Sequence, residues 1–297
     1  MHDLTYPVVL QKRNKAQLQR TGPVRELPFK KILVPVDGSK SSLQSLEMAA
    51  TLTKRMGGQA TIIHVIPEFA GVPAEGEPQA IGREVTSHFD QRAESIIADA
   101  RSLFAEEGLE IKADILRYRD PPDAILDFAK DGEYDLIVMG NGEDDRWALD
   151  TVGSVAGKVA RSWKGSVLIV KKTCGLSRIS VVVGADREAG VLELAANLAK
   201  DSGSQFKVIS APSDGKASAD ALLGRMLQRA RDLGLAPQGE AMPKRNVKQL
   251  NTLLTTDLTQ LLVVQRPTPG IIGRIFGGGE WAYKVFMSCP CSVMICP

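Results

Sequence analysis

Tyr134-Asp-Leu-Ile-Val-Met-Gly140, followed by Asn141-Gly142-Glu143-Asp144-Asp145 and closing on Gly153-Ser154, reads as a strand, a glycine-bearing loop and a helix that opens on Gly-Ser. The unbroken apolar run Leu136 to Met139 suits a strand covered on both faces. A helix that begins behind such a loop turns unpaired backbone N–H groups toward it, which is how α/β sheets hold phosphate groups. The charge of the loop opposes that use. Glu143, Asp144, Asp145 and Asp150 face the single base Arg146. Unit charges a few ångströms apart repel by about 1 kcal/mol in water, and several-fold more where the effective dielectric falls toward that of a protein surface.

Working outward, Lys31-Ile-Leu-Val-Pro-Val36 is a first apolar strand, ended by Asp37-Gly38-Ser39. Leu43, Leu46, Ala49, Ala50 and Met56 recur at helical spacing, and Gly57-Gly58 stops that helix. Ala60 to Ile66 is a second strand. A loop rich in Pro, Gly and Glu occupies 68–81, and a long amphipathic helix carries Val85, Phe89, Ala93, Ile97, Ala100 and Phe104. Ile111 to Tyr118 is a third strand, Pro121-Pro122 opens a short helix, Val155 to Trp163 is a fourth helix, and Ser166 to Lys171 a fifth strand. Strands alternating with helices in this way imply a parallel, doubly wound sheet. Ligands of such sheets sit beyond the carboxyl ends of the strands, where Asp37 and Gly140 would wall one crevice.

The pattern then restarts. Ile179-Ser-Val-Val-Val-Gly-Ala-Asp186 echoes Ile32 to Asp37, with Asp186 as the partner of Asp37. Leu192 to Ala199 echoes the first helix, Phe206 to Ser210 the second strand, Gln260 to Val264 the fourth, Gly279-Glu280 the helix start at Gly153-Ser154, and Ser292 to Cys296 the fifth strand. The expected organisation is an N-terminal extension over 1–29, a first domain over 30–172 and a second over 176–297. Pairing of the two fifth strands, 166–171 with 292–296, would make an internal pseudo-dimer; a further homodimer is then optional.

On Pro35-Val36-Asp37-Gly38-Ser39, His64-Val65-Ile66, Asp135 to Gly140 and Gly153-Ser154-Val155, the chain resembles the universal stress protein family in its tandem form. The resemblance runs from residue 30 to the end and is degenerate in the second half. It implies an α/β fold of two tandem, doubly wound, parallel five-stranded sheets, Rossmann-like and adenine nucleotide alpha-hydrolase-like, with strand order 3-2-1-4-5. ATP-binding members carry G-x2-G-x9-G-[S/T] after the fourth strand. Gly140, Gly153 and Ser154 match, while Glu143 stands at the second glycine. The resemblance assigns the cofactor contacts to Pro35, Asp37, Val65, Gly140, Gly153 and Ser154. Asp37 would lie by the adenosine, the Val65 backbone by the adenine edge, and the glycines and Ser154 by ribose and phosphates. The implied cofactor is ATP or another adenine nucleotide, with Mg²⁺ as the ion that could bridge phosphates and acids. Each site residue also has a local reading. Asp37 could hold a turn, Gly153-Ser154 could simply start a helix with Ser154 as a cap, and the acids could be a solvated loop.

The 297 residues suit about two domains. A net charge of +2 gives no reason to expect nucleic acid or an anionic membrane as the main partner. No apolar run reaches membrane-spanning length, and the opening residues lack the apolar core of a secretory signal, so the expected location is cytoplasmic. Cys174, Cys289, Cys291 and Cys296 read as small reduced core residues, with a redox or metal role as the alternative. His2, His64 and His88 form no metal or catalytic spacing. Three functions compete: a stress-response or regulatory protein that binds an adenine nucleotide weakly in the first half, a non-nucleotide interaction scaffold using loops 68–81 and 266–279, and an Mg²⁺-dependent phosphohydrolase using Glu143 and Asp145. No catalytic residue is assigned, because no nucleophile–base pair stands at a recognisable spacing.

Overall fold

The computed structural model describes residues 29–68, 79–142, 153–171, 175–266 and 278–297. Strands β1 (Lys31–Val36), β2 (Gln59–Pro67), β3 (Ile111–Tyr118), β4 (Leu136–Gly140) and β5 (Ser166–Val170) alternate with helices α1 (Lys40–Met56), α2 (Gln79–Glu106), α3 (Pro121–Asp131) and α4 (Ser154–Ser162). The second half repeats the pattern. Strands β6 (Arg178–Val183), β7 (Gln205–Ser210), β8 (Gln238–Ala241), β9 (Leu261–Gln265) and β10 (Ser292–Cys296) alternate with α5 (Ala189–Ser202), α6 (Lys216–Asp232), α7 (Val247–Thr256) and α8 (Gly278–Ser288).

Each half keeps the order 3-2-1-4-5, and the two are fused into one ten-stranded sheet, β3-β2-β1-β4-β5-β10-β9-β6-β7-β8. Neighbours within a half are parallel. At the joint β5 and β10 run antiparallel, with Ile169 opposite Val293, Leu168 opposite Met294 and Val167 opposite Ile295. The expected pairing of the two fifth strands thus joins the two five-stranded sheets into one. All five residues of both joining strands are buried, and as open edges they would expose apolar, unpaired backbone.

Alternation along the strands sorts the core into two layers. Ile32, Val34 and Val36 pack with residues of α1, α2, α5 and α6. Leu33, Ile63 and Ile137 pack on the other face with residues of α3, α4, α7 and α8. Phe29, placed by the sequence in the extension, is buried in the first layer. The two halves are also tied alike at the starts of their strands. The Asp135 carboxylate accepts the backbone N–H groups of Lys30 and Lys31 at 2.8 and 2.9 Å. Gln260 Oε1 does the same for the N–H of Ser177 at 2.8 Å.

Four elements go beyond the sequence reading. Helix α2 starts at Gln79 and so takes up the end of the expected loop, whose residues 69–78 lie outside the described ones. Helices α6 and α7 and strand β8 are implied by the repeat, but the sequence reading gives them no residue range. Strand β8, Gln238-Gly-Glu-Ala241, is an edge strand of exposed and half-buried residues with no apolar run to betray it.

Candidate functional site

Pro35 shapes the crevice of the first half. Strand β1 pairs with β4 at Ile32–Leu136 and Leu33–Ile137, and the pairing stops there. Pro35 is buried in the sheet and has no N–H to donate to β4. The counterpart strands β6 and β9 stay paired through Val182–Val264. Registers place Val182 where the first half has Pro35. The backbone ladder between β1 and β4 therefore ends earlier than its counterpart in the second half, leaving an opening in the hydrogen bonding at the carboxyl ends, where ligands of this architecture sit.

Asp37 lies exposed at the mouth of that opening. Its Oδ1 accepts the Ser39 N–H at 2.9 Å, so the carboxylate holds the turn into α1. Ser39 is the N-cap of α1, with its Oγ accepting the Ser42 N–H at 3.2 Å. His64, at the end of β2, places Nδ1 2.8 Å from the Val36 carbonyl oxygen. A carbonyl only accepts, so Nδ1 carries a proton. Val65 is half-buried beside it, in register with Leu116.

Gly140 is buried against α1. A Cβ there would lie 2.5 Å from the Ser41 carbonyl oxygen and 2.8 Å from its Oγ. Its lack of a side chain therefore serves the packing of the chain on itself. Gly142 has φ +75°, the left-handed conformation that favours glycine, and lies against Gly153. The Gly153 N–H donates to the Asn141 carbonyl at 2.6 Å and closes the neck of the loop. The glycine missing at position 143 is thus matched by one at 142, which the motif spacing did not single out. Glu143, Asp144, Asp145, Arg146 and Asp150 lie outside the described residues.

Ser154 does not cap α4. Gly153 is the N-cap, and Ser154 is the exposed first residue of the helix, which among the described residues has no side-chain cap. The first turn presents its backbone N–H groups without a competing side-chain oxygen from the cap position. Lys158 stands one turn on from Ser154, a spacing that puts both on one helix face. Its ammonium bonds Asp120 at 2.5 Å and Asp123 at 2.9 Å. The hydrogen bonds to Asp120 and then Asp123 raise the Lys158 pKa, and the bond from Lys158 lowers that of Asp123. Two carboxylates therefore occupy this cation of α4.

The second crevice is closed by its own chain. Registers place Gly184, not Asp186, at the position of Asp37. Asp186 sits two residues on, in a 3-10 turn, and is gripped by both Nε and Nη2 of Arg225 at 2.8 Å, which lowers its pKa. The Gly184 N–H is taken by Glu188 Oε2 at 2.6 Å. Arg245 fills the space above Gly184, where a Cβ would meet its Nη2 at 2.5 Å. Its Nε donates to the Ala211 carbonyl at 3.0 Å, and its guanidinium lies 5.6 Å from the Trp281 ring centre. Gln265 stands in the register of Gly140. Beside it, Arg266 reaches back across the joint to the Ala160 carbonyl of α4 at 2.6 Å and the Gly165 carbonyl at 3.0 Å. Burial lowers the Arg266 pKa from a starting value high enough to keep it protonated. Among the described residues no cluster of three or more His, Cys, Asp or Glu could hold a metal, and no helix is long and apolar enough to cross a membrane.

Residues 28–171 match the universal stress protein family model. A universal stress protein of Methanocaldococcus jannaschii is 32% identical over 146 residues, which cover 48% of this chain and 83% of the relative. A stress response protein of Bacillus subtilis is 28% identical over 162 residues, covering 48% of this chain and 97% of the relative. Over both halves, the crystal structure of a universal stress protein from Archaeoglobus fulgidus superimposes with a TM-score of 0.66 at 20% identity, covering 90% of this chain and 95% of that one.

Proposed function

The chain belongs to the universal stress protein family, and from that premise we propose that it is a stress-response or regulatory protein whose first half binds an adenine nucleotide weakly. The observation that carries this reading is the early end of the β1–β4 backbone pairing before Pro35, beside a helix whose first turn has a bare glycine cap. Asp37, the Val65 backbone, Gly153 and Ser154 would hold the ligand. Gly140 supports them through its contact with Ser41. The acids Glu143, Asp144, Asp145 and Asp150, which precede α4 in the sequence, would keep the affinity low. A ligand at ten times its Kd stabilises the native state by about 1.4 kcal/mol, enough to read as a thermal shift. ATP, ADP and AMP at millimolar concentration, each with and without Mg²⁺, are the test. Absence of a shift with all three removes the nucleotide. Pro35→Val, which restores a backbone donor, is expected to weaken any response.

The filling of the second crevice by Arg245 favours a complementary role for that half as a non-nucleotide interaction scaffold. Replacement of 266–279 by a Gly/Ser linker would abolish capture of a partner that docks there; unchanged capture moves the contact elsewhere. The cytoplasm is the proposed site of action, since Cys289, Cys291 and Cys296 carry thiols outside any disulfide, as in a reducing compartment.

A further inference from the structure

The turn from α8 into β10 is Cys289-Pro290-Cys291. Both thiols are buried, and their sulfurs lie 3.2 Å apart. Their spacing of two would put both on one face of a strand, but they flank a proline in the turn before β10. Lys171 is buried beside the pair, and its Nζ donates to the Cys289 carbonyl at 2.6 Å. Its backbone N–H donates to Ser292 Oγ at 3.1 Å. The pair therefore lies at the joint of the two halves, where the end of β5 meets the start of β10. It is also one residue from a surface. Pro290 and Ser288 line a groove of about 600 Å³ between α7 and α8, with Asn251 and Thr255 on its other wall.

We propose that Cys289 and Cys291 are a reversible dithiol–disulfide pair that a hydroperoxide oxidises. One thiol, as its thiolate, attacks a peroxide oxygen; the O–O bond breaks, leaving a sulfenic acid and releasing water or an alcohol. The second thiol then displaces water from that sulfur, forming the S–S bond. In all, two thiols lose two hydrogens and one peroxide is reduced. The sulfurs must approach by about an ångström to reach bonding distance. The resulting ring encloses a single residue, so it is strained and remains reducible by ordinary thiols, as a switch requires and a permanent staple does not. The hydrogen bond with Cys289 and then burial raise the Cys291 pKa well above its ordinary value. Thiolate is scarce near neutrality, so the pair resists adventitious oxidation and reacts slowly. Below that pKa the rate rises about tenfold per pH unit with the thiolate fraction.

The test uses the full chain. It is treated with hydrogen peroxide, quenched, denatured, alkylated and mapped by peptide mass spectrometry. The expected product has Cys289 and Cys291 linked to each other, two hydrogens lighter and protected from alkylation. Cys296 is alkylated, and dithiothreitol restores both thiols. Alkylation of both residues as in untreated protein overturns the proposal. So does overoxidation without a link, or a link to Cys174, Cys296 or another chain. Cys289→Ser removes the internal link; if the two-hydrogen loss persists in that variant, the pair is not its source. Should the variant fail to fold, mapping of the unaltered chain decides alone.

Discussion

Replacing Gly140 by alanine separates its two roles, as a wall of a ligand site and as a packing surface. The added Cβ would sit 2.5 Å from the Ser41 carbonyl oxygen and 2.6 Å from its carbonyl carbon, roughly 0.9 Å inside the 3.4 Å at which ordinary contact begins. Both atoms are backbone, so no rotamer change relieves the clash. The first turn of α1 would have to move, and it is closely tied. Asp37 holds the Ser39 N–H at 2.9 Å, Ser42 Oγ donates to the Ser39 carbonyl at 2.9 Å, and Ser45 Oγ donates to the Ser42 carbonyl at 2.7 Å. Overpacking of this kind costs about 1–3 kcal/mol, and loss of the cap adds about 1 kcal/mol. Gly140→Ala should therefore lose about 2–4 kcal/mol in urea-induced unfolding, with or without nucleotide. Gly190→Ala is the control. That glycine lies in α5 with nothing within 4 Å of an added Cβ, and its replacement should gain about 0.5–1 kcal/mol. A Gly140→Ala protein as stable as the parent would refute the packing assignment. If that protein had also lost a nucleotide response, the glycine would belong to the ligand.

Other outcomes follow from the remaining contacts. Asp37→Asn keeps an acceptor for the Ser39 N–H and should stay within about 0.5 kcal/mol of the parent, while Asp37→Ala should lose about 1 kcal/mol. A nucleotide-induced thermal shift undiminished in both variants removes Asp37 from the ligand site. Arg266→Met leaves the Ala160 and Gly165 carbonyls without their donors and should cost about 2–4 kcal/mol in chemical denaturation. Arg266→Lys should recover little, because an ammonium lacks the planar fork that serves two carbonyls. Burial pushes the Cys296 thiol up to about 12 from 9.0, against smaller opposing effects of Ser166 and Arg266. Its folded pKa exceeds its unfolded one, so its contribution to stability is complete below about pH 9 and declines as pH rises toward 12. The decline is about 2 kcal/mol by pH 10.5. Unfolding curves at pH 8 and 10.5 should show it in the parent and much less in Cys296→Ala; equal slopes would contradict it.

Strands buried on both faces announced themselves in the sequence. Leu136 to Met139 and Val293 to Cys296 are apolar throughout, and their composition reflects only the core. The repeat was legible for the same reason, while the shared task of Asp135 and Gln260 emerges only once the strands are paired. Edge strand β8 was not, because one flank faces solvent and its residues carry no apolar signal. The site was legible as a set of positions and less so as a set of roles. The spacing singles out Gly140, Gly153 and Ser154 as positions. However, the packing of Gly140 on Ser41, the left-handed turn at Gly142 and the lack of a cap from Ser154 depend on where separate segments meet. Arg245 could not be foreseen at all, for its loop and Gly184 come together only through the pairing of β6, β7 and β8.

The antiparallel joint has a consequence for what the two copies are able to become. Because strand directions reverse between β5 and β10, the two sets of carboxyl ends open at opposite poles of the molecule. No small ligand can span them. In a homodimer built the same way, every substitution strikes both poles at once, since one gene specifies both subunits. Covalent fusion lifts that constraint. One pole can keep Pro35 and its interrupted ladder while the other gains Arg245 over Gly184, without either change being imposed on its twin. The ratio of the two kinds of pole becomes fixed by the covalent chain at one of each per molecule, whatever the concentration.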